Sequence, residues 1–152
     1  MGIEISLLHV RRSGYLRASV ARVWQEFTSF DRICGWLNLG HTIHRFEPRL
    51  GGEVRMSVDM GGVVHFFGGT IIAFEPEREI SFTSQWQGEF AWAVPTIWTI
   101  RLTQRYDGTQ VEIYHHGFDR LGDQAADALE DYESGWDTKH IRALRKQVES
   151  AS

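Results

Sequence analysis

Residues 96–116 read TIWTIRLTQRYDGTQVEIYHH, and this stretch decides the fold class. Apolar and polar side chains alternate on both sides of Asp107-Gly108, a dipeptide that strongly favours a tight hairpin turn. The alternation predicts two antiparallel strands, over residues 96–106 and 109–116, each with one apolar and one polar face. Such a hairpin cannot bury its apolar face alone, so a further layer must cover it.

Five more strands are predicted before this hairpin, most of them separated by a glycine pair or by the turn at residues 75–78. They cover residues 5–17, 41–46, 53–60, 63–75 and 79–86. Within the third of these strands, Val54, Met56, Val58 and Met60 share one face. Together with the hairpin, these segments predict an antiparallel sheet of seven strands.

Three helices are predicted around these strands. Ser19 is expected to cap a short amphipathic helix that ends near Ser29, and Asp31 to cap a second helix of one or two turns. Residues 123–148 then form a long helix with Gly135 as its only breaker. Because the long helix is the element available to cover the sheet, the fold class is α+β.

Composition describes one domain, residues 1–152, with a net charge of −4 and 42% hydrophobic residues. Scattered Lys and Arg argue against nucleic acid as a partner. No apolar run is long enough for membrane insertion, and the first residues do not resemble a signal peptide. Cys34 is the only cysteine and is expected to be an inert, buried thiol. We therefore expect a cytoplasmic protein, and the sequence is compatible with a homodimer.

Several short motifs follow one another in a characteristic order. They are ASVARVW at 18–24, GG at 51–52, FEPER at 74–78, ISFT at 80–83, DGT at 107–109, GF at 117–118 and GW at 135–136. Their order and spacing resemble the Bet v 1-like/START (SRPBCC) superfamily. Within it, the chain resembles stand-alone bacterial proteins similar to the C-terminal domain of the activator of Hsp90 ATPase.

The resemblance covers nearly the whole chain and implies a helix-grip fold. In that fold a curved antiparallel seven-stranded sheet wraps around a long C-terminal helix, and two short helices follow the first strand. It also implies a hydrophobic cavity. The superfamily includes lipid carriers, binders of plant hormones and alkaloids, polyketide aromatases and cyclases, and co-chaperone domains, so the fold does not select one function.

Alternation predicts which side chains face the cavity. On the hairpin strand, Trp98, Ile100 and Leu102 point inward, whereas Thr99, Arg101 and Thr103 face water. On the strand before it, one face carries Ile80, Phe82, Ser84 and Trp86. The candidate ligand-binding residues are Met56, Val58, Phe82, Trp86, Trp98, Ile100, Ile113, His115, Tyr132, Trp136 and His140.

Histidines are the main polar candidates in this set. His115 is expected to hydrogen-bond a ligand, a neighbouring backbone group or Tyr132, and His140 either bonds a ligand or lies partly exposed at the rim. His115 and His116 point to opposite faces, so they cannot share a metal ion from within, and no metal site or cofactor is predicted. Proton transfer by His115, His140, Tyr114 or Tyr132 is the catalytic alternative.

Other aromatic and acidic residues receive simpler interpretations. Trp24 is expected to pack between helix and sheet, and Trp36 and Trp92 near the mouth of the cavity. Acidic residues, Glu26 among them, are expected on wet faces. No nucleophile elbow, phosphate loop or dinucleotide motif occurs, so no catalytic residue is assigned.

These observations favour a binding protein over an enzyme. We expect it to hold a small hydrophobic ligand (a lipid, an aromatic molecule or a polyketide-like molecule) in an internal cavity. One alternative is an aromatase/cyclase-like enzyme acting on a polyketide-like substrate. The other is a chaperone-interacting domain similar to the Hsp90 co-activator.

Overall fold

A computed structural model describes residues 9–37, 41–88, 91–92, 94–118, 120–121 and 139–150. The strands are β1 His9–Leu16, β2 Thr42–Phe46, β3 Glu53–Met60, β4 Val63–Glu75, β5 Glu79–Trp86, β6 Thr96–Arg105 and β7 Gly108–His116. They form one antiparallel sheet in the order β1-β7-β6-β5-β4-β3-β2. From β2 to β7 each strand pairs with its chain neighbour, and β1 pairs with β7.

Two short helices fill the connection from β1 to β2. They are α1 Val20–Trp24, extended by a 3₁₀ turn Gln25–Phe27, and α2 Phe30–Leu37. The Ser19 hydroxyl accepts a hydrogen bond from the Arg22 N–H at 3.1 Å, which confirms the predicted cap of α1.

The predicted cap of α2 is wrong. Ser29 accepts the N–H of Arg32 at 3.3 Å, and Asp31 lies inside the first turn. At that position the Asp31 charge still favours the helix through its dipole.

The C-terminal helix, α3 Lys139–Ser150, packs against α2 and β1. Its buried apolar side chains are Ile141, Leu144 and Val148, at the three- and four-residue spacing that the sequence predicts. Arg145 donates two hydrogen bonds to the carbonyl oxygen of Tyr15, at 2.8 and 3.1 Å, and so ties the helix to β1. The rest of the predicted long helix, with Tyr132 and Trp136, lies outside the described residues. No helix in the described part of the chain is both long and apolar enough to cross a membrane.

Burial on the sheet mostly follows the predicted alternation, but the predictions for Thr99 and Met60 fail. Thr99 is only 5% exposed, because its hydroxyl and that of Ser81 share a hydrogen bond at 2.8 Å across β5 and β6. The shared hydrogen bond satisfies both hydroxyls and so removes most of the energetic cost of burying them. Because the Thr99 side chain is buried, the prediction that it faces water is wrong. Met60 is 45% exposed, because it lies at the tip of the β3–β4 hairpin, beyond the covered part of the sheet.

The tryptophans of the helical corner belong to the core. Trp24 contacts the ring of Phe74 on β4 at 5.4 Å, so it packs between helix and sheet as predicted. Trp36 is fully buried, and its indole N–H donates to the carbonyl oxygen of Glu26 at 3.1 Å. The prediction of Trp36 near a cavity mouth is therefore wrong, because α2 turns this ring inward against Phe27.

Glu26 is a buried charge, which corrects the prediction of a wet position. Its carboxylate accepts hydrogen bonds from Arg22 at 3.1 Å, Arg32 at 2.7 Å and Gln147 at 2.6 Å. Burial alone would raise the pKa of this carboxyl, but the bonds from Gln147, Arg22 and Arg32 outweigh burial and lower the pKa below its ordinary value. One carboxylate thus joins α1, α2 and α3.

Candidate functional site

A row of aromatic rings crosses the inner face of the sheet. Centroid distances are 5.7 Å from Phe46 to Phe82, 5.5 Å from Phe82 to Trp98, 5.0 Å from Trp98 to His115 and 4.7 Å from His115 to Phe118. Phe46 is on the edge strand β2, and two strands separate it from β5. Its contact with Phe82 therefore requires the sheet to curve around the inner face.

A second set of rings lies beside the first. Trp86 stacks on Phe67 at 4.4 Å and contacts Trp92 at 6.4 Å. Phe67 in turn meets His41 at 5.8 Å, and His41 lies 6.2 Å from the ring of His140. Because His140 belongs to α3, these contacts bring the C-terminal helix onto the same face of the sheet as the aromatic residues.

The predicted site residues fall into three groups. Those that are buried are Met56, Phe82, Trp98, Ile100, Ile113, His115 and His140. Val58 and Trp86 are half-buried. Tyr132 and Trp136 lie outside the described residues. The predicted orientation toward the interior is confirmed for the first group, and contact with a ligand stays a prediction for all of them.

His140 is 5% exposed, so the reading of a partly exposed histidine at the rim is wrong. The helix buries this ring because it faces His41 across the interior, one residue before the buried Ile141.

Three polar side chains follow one line across β5, β6 and β7, and we call Ser84, Thr96 and His115 the polar row. Ser84 and Thr96 are directly paired in the sheet, and the Thr96 hydroxyl donates to the carbonyl oxygen of Ser84 at 3.2 Å. The same hydroxyl lies 2.6 Å from Nε2 of His115. Since a hydroxyl has one proton, both contacts are satisfied together when Nε2–H of His115 donates to Thr96.

Thr96 therefore supplies a hydrogen-bond partner for His115 that sequence reasoning missed. The signal was present, because Thr96 has the same parity as Trp98 and must share its inner face. The polar row interrupts an otherwise apolar wall formed by Phe82, Trp98 and Phe118.

The His115 ring is neutral at pH 7. Complete burial holds its pKa well below the ordinary value of 6.5, and the neighbouring His116 lowers the pKa further. A neutral imidazole can both donate and accept a hydrogen bond, which suits it to orient an uncharged polar group.

The Ser84 hydroxyl is the least satisfied group of the polar row. Its residue is 0% exposed, and its Oγ has no hydrogen-bond partner among the residues that the structure describes. A buried hydroxyl without a partner costs about 1–3 kcal/mol. Alternation places it on the face of β5 that also carries Phe82, so the hydroxyl points toward the interior.

Metal ligands do not converge anywhere in the described part of the chain, where no three His, Cys, Asp or Glu side chains are placed to hold an ion. The Cys34 thiol is half-buried, and burial together with the nearby Asp31 charge raises its pKa, so it is not an activated nucleophile. An open groove of about 560 Å³ is lined by Val20 and residues 75–79 and 101–104. None of the predicted site residues lies in this groove.

Comparison with known proteins identifies relatives of this chain. The family model described as activator of Hsp90 ATPase homolog 1-like protein matches residues 17–149. No curated protein matches. Among solved structures, the chain is similar to MLL2253 from Mesorhizobium loti, with 20% identity, a TM-score of 0.73, and coverage of 95% of this chain and 98% of that one.

Two further structures are informative. CV1439 from Chromobacterium violaceum is 24% identical, with a TM-score of 0.74 and coverage of 94% of this chain and 98% of that one. DynU16, from the dynemicin biosynthetic locus, is 21% identical with a TM-score of 0.67, and the match covers 95% of this chain and 48% of DynU16. At these identities the likeness shows the fold, which is the helix-grip fold that the resemblance implied.

Proposed function

This chain belongs to the family of activator of Hsp90 ATPase homolog 1-like proteins, and from that premise we propose that it binds a small hydrophobic molecule. The ligand would be a lipid, an aromatic molecule or a polyketide-like molecule. It would lie between the inner face of the sheet and the C-terminal helix. The observation that carries the proposal is a continuous aromatic face that contains one short polar row.

The composition of this face suits a ligand pocket. Ligand sites in proteins are mostly apolar and aromatic, with a few polar groups that fix the orientation of the ligand. Here Phe82, Trp98 and Phe118 supply apolar area, and Thr96 with His115 supplies hydrogen bonding. Half-buried Trp86 extends the same face outward, where an entering molecule would first meet it.

Mass spectrometry of the native protein provides the first test. Purified protein is expected to carry a co-purifying small molecule whose mass disappears after denaturation. Titration with the neutral fluorescent probe N-phenyl-1-naphthylamine provides the second test. Trp86→Ala should weaken probe binding by about tenfold, because truncating an aromatic side chain that packs on a bound molecule often costs that much.

The matched control for this titration is Tyr106→Ala, since Tyr106 is 93% exposed and lies outside the inner face. The control should bind the probe as the wild type does, and circular dichroism should show both variants folded. Apo protein from every preparation, together with unchanged probe binding by Trp86→Ala, would contradict the proposal.

A second candidate function is proton transfer on a bound polyketide-like substrate. The observation that favours it is the His115 ring, which is neutral at pH 7 and is fixed by Thr96 within an apolar wall, so it can accept a proton. DynU16, the neighbour from the dynemicin locus, makes polyketide-like substrates the first to assay. His115→Gln should abolish turnover and retain ligand binding. For the chaperone interaction that the family's description names, no described surface of this chain offers a comparable argument.

A further inference from the structure

The Ser84 hydroxyl is a buried group on the inner face that forms no hydrogen bond within the part of the chain that the structure describes. It is completely buried and has no partner among the described residues. Its neighbour Thr96 donates to the backbone carbonyl of Ser84, not to the hydroxyl, so the two side chains do not satisfy each other. A buried hydroxyl of this kind is a preformed hydrogen-bonding position for a molecule that enters the site.

The surroundings of Ser84 restrict the charge of such a molecule. Among the buried residues that the structure describes, Glu26 is the only carboxylate and none is a Lys or Arg, and Arg22 and Arg32 neutralise Glu26 at the helical corner. His115, on the polar row, is neutral. A carboxylate, phosphate or ammonium beside Ser84 would thus find no counter-ion among the described buried residues, and burying a charge without one is strongly unfavourable. The described surroundings of Ser84 therefore favour a ligand whose polar end is uncharged.

The surroundings also restrict the shape of the molecule. Trp86 follows Ser84 on the same face of β5, and Trp98 follows Thr96 on the same face of β6. Register thus places two indole rings on the same inner face as the hydroxyl, one two residues along β5 and one opposite Phe82 on β6. Flat rings pack on indole rings in offset or edge arrangements with more favourable energy than saturated rings do.

Resting on the proposed function, we infer that the ligand is an uncharged aromatic molecule with a phenolic hydroxyl, and that this hydroxyl binds to Ser84. The Ser84 Oγ can donate to the phenol oxygen or accept its proton, so one contact satisfies both groups. The aromatic body then lies along the wall formed by Trp86, Trp98 and Phe82.

Three matched probes test this inference: 2-naphthol, naphthalene, and 2-decalol, the saturated counterpart of 2-naphthol. Binding to the full-length protein is measured by quenching of tryptophan fluorescence. Wild type should bind 2-naphthol about five- to tenfold more tightly than naphthalene, as expected for one net hydrogen bond. It should also bind 2-naphthol more tightly than 2-decalol.

Ser84→Ala should remove the preference for 2-naphthol over naphthalene and leave naphthalene affinity unchanged. Ser81→Ala is the matched control, because Ser81 lies on the opposite face of the same strand and bonds Thr99. This control should retain the preference. Ligand-free Ser84→Ala should melt no lower than wild type, because the truncation removes an unsatisfied buried group.

The outcomes separate this inference from the proposed function. Equal affinity of wild type for naphthalene and 2-naphthol would overturn the Ser84 assignment and leave hydrophobic binding intact. A preference that survives in Ser84→Ala, or a lower melting temperature of the ligand-free variant, would overturn it as well. Tighter binding of 2-decalol than 2-naphthol would overturn the aromatic class. Failure of all three probes to bind wild type that still binds N-phenyl-1-naphthylamine would overturn this inference alone, and failure of N-phenyl-1-naphthylamine as well would overturn both proposals.

Discussion

The Glu26 carboxylate stabilises the corner where the three helices meet. It accepts charged hydrogen bonds from Arg22 and Arg32 and a further bond from Gln147. Glu26→Gln removes the charge but preserves the shape of the side chain. Arg22 and Arg32 are partly exposed and keep some hydration, so we expect a loss of about 2 kcal/mol in the free energy of unfolding, measured in urea.

The control for this prediction is Glu53→Gln, which breaks an exposed ion pair with Arg45. That change should alter stability by less than about 0.5 kcal/mol. Because the folded-state pKa of Glu26 is lowered, its contribution is present above the ordinary pKa and is lost as pH falls below it. Equal effects of the two substitutions at pH 7 would show that Glu26 behaves as a surface charge.

His115 makes stability depend on pH. Its pKa in the folded state is far below 6.5, so as pH falls through 6.5 the unfolded chain takes up a proton that the folded chain does not. His115 therefore leaves the free energy of unfolding undiminished above about pH 6.5. Below that pH it lowers the free energy of unfolding by up to about 1.4 kcal/mol per pH unit. In His115→Gln the decline between pH 6.5 and 5 should be shallower, as measured by urea unfolding at each pH.

The control for His115 is Ser81→Ala, which truncates a buried side chain that carries no titratable group and should therefore keep the pH dependence of wild type. A His115→Gln profile parallel to that of wild type would mean that the buried ring takes up its proton without unfolding.

The sequence reveals side-chain orientation better than side-chain partners. Parity along a strand predicted the burial of Trp98 and Ile113, because alternate residues point to one face. It could not predict that Glu26 is buried, because two of its partners, Arg32 and Gln147, lie on other helices. Such a cluster forms only when the three helices pack together, so the sequence of a single helix does not predict it.

Strands and turns were predictable at the scale of elements. The predicted bounds of β3, β4 and β5 agree with the structure at both ends, because glycine pairs and the turn at residues 75–78 limit these strands. The start of α2 was less clear, since Ser29 and Asp31 can both cap a helix and the choice depends on local backbone geometry. For the N-terminal part of the long C-terminal helix, the prediction falls on residues outside those described.

Gly68 is a position where the sheet depends on the absence of a side chain. Its φ is 143°, and a Cβ at this position would overlap the carbonyl oxygen of Val54 on the neighbouring strand. Gly68→Ala combines backbone strain with a clash against backbone atoms, so we expect a loss of about 3 kcal/mol or more in unfolding free energy. The measurement is thermal unfolding followed by far-ultraviolet circular dichroism.

Gly61→Ala is the matched control, because Gly61 also has positive φ, at 64°, but a Cβ there would meet nothing within 4 Å. Gly61→Ala should lower the unfolding free energy by about 1 kcal/mol, because only the backbone conformation is strained. Similar losses for both variants would show that β3 and β4 separate easily to admit a methyl group.

At the scale of the whole molecule, contacts between distant parts of the chain close the fold. β1 pairs with β7, Arg145 of α3 bonds the carbonyl oxygen of Tyr15, and Phe46 meets Phe82 across the curved sheet. Local patterns predicted the elements but not these contacts; the family resemblance supplied the overall arrangement. Neither the local patterns nor the family resemblance identified the ligand, because one fold accommodates many ligands.

Binding inside this closed frame should stabilise the whole molecule. A ligand that binds only the folded state adds about 2.7 kcal/mol to the free energy of unfolding when its concentration is about one hundred times its Kd. For a chain of this size, that gain raises Tm by roughly 5–10 °C. We expect 2-naphthol to raise the Tm of wild type by this amount in differential scanning calorimetry. Ser84→Ala at the same 2-naphthol concentration should show a smaller rise, because its Kd is larger. A Tm unchanged at saturating 2-naphthol would mean that this molecule binds the folded chain no better than the unfolded one.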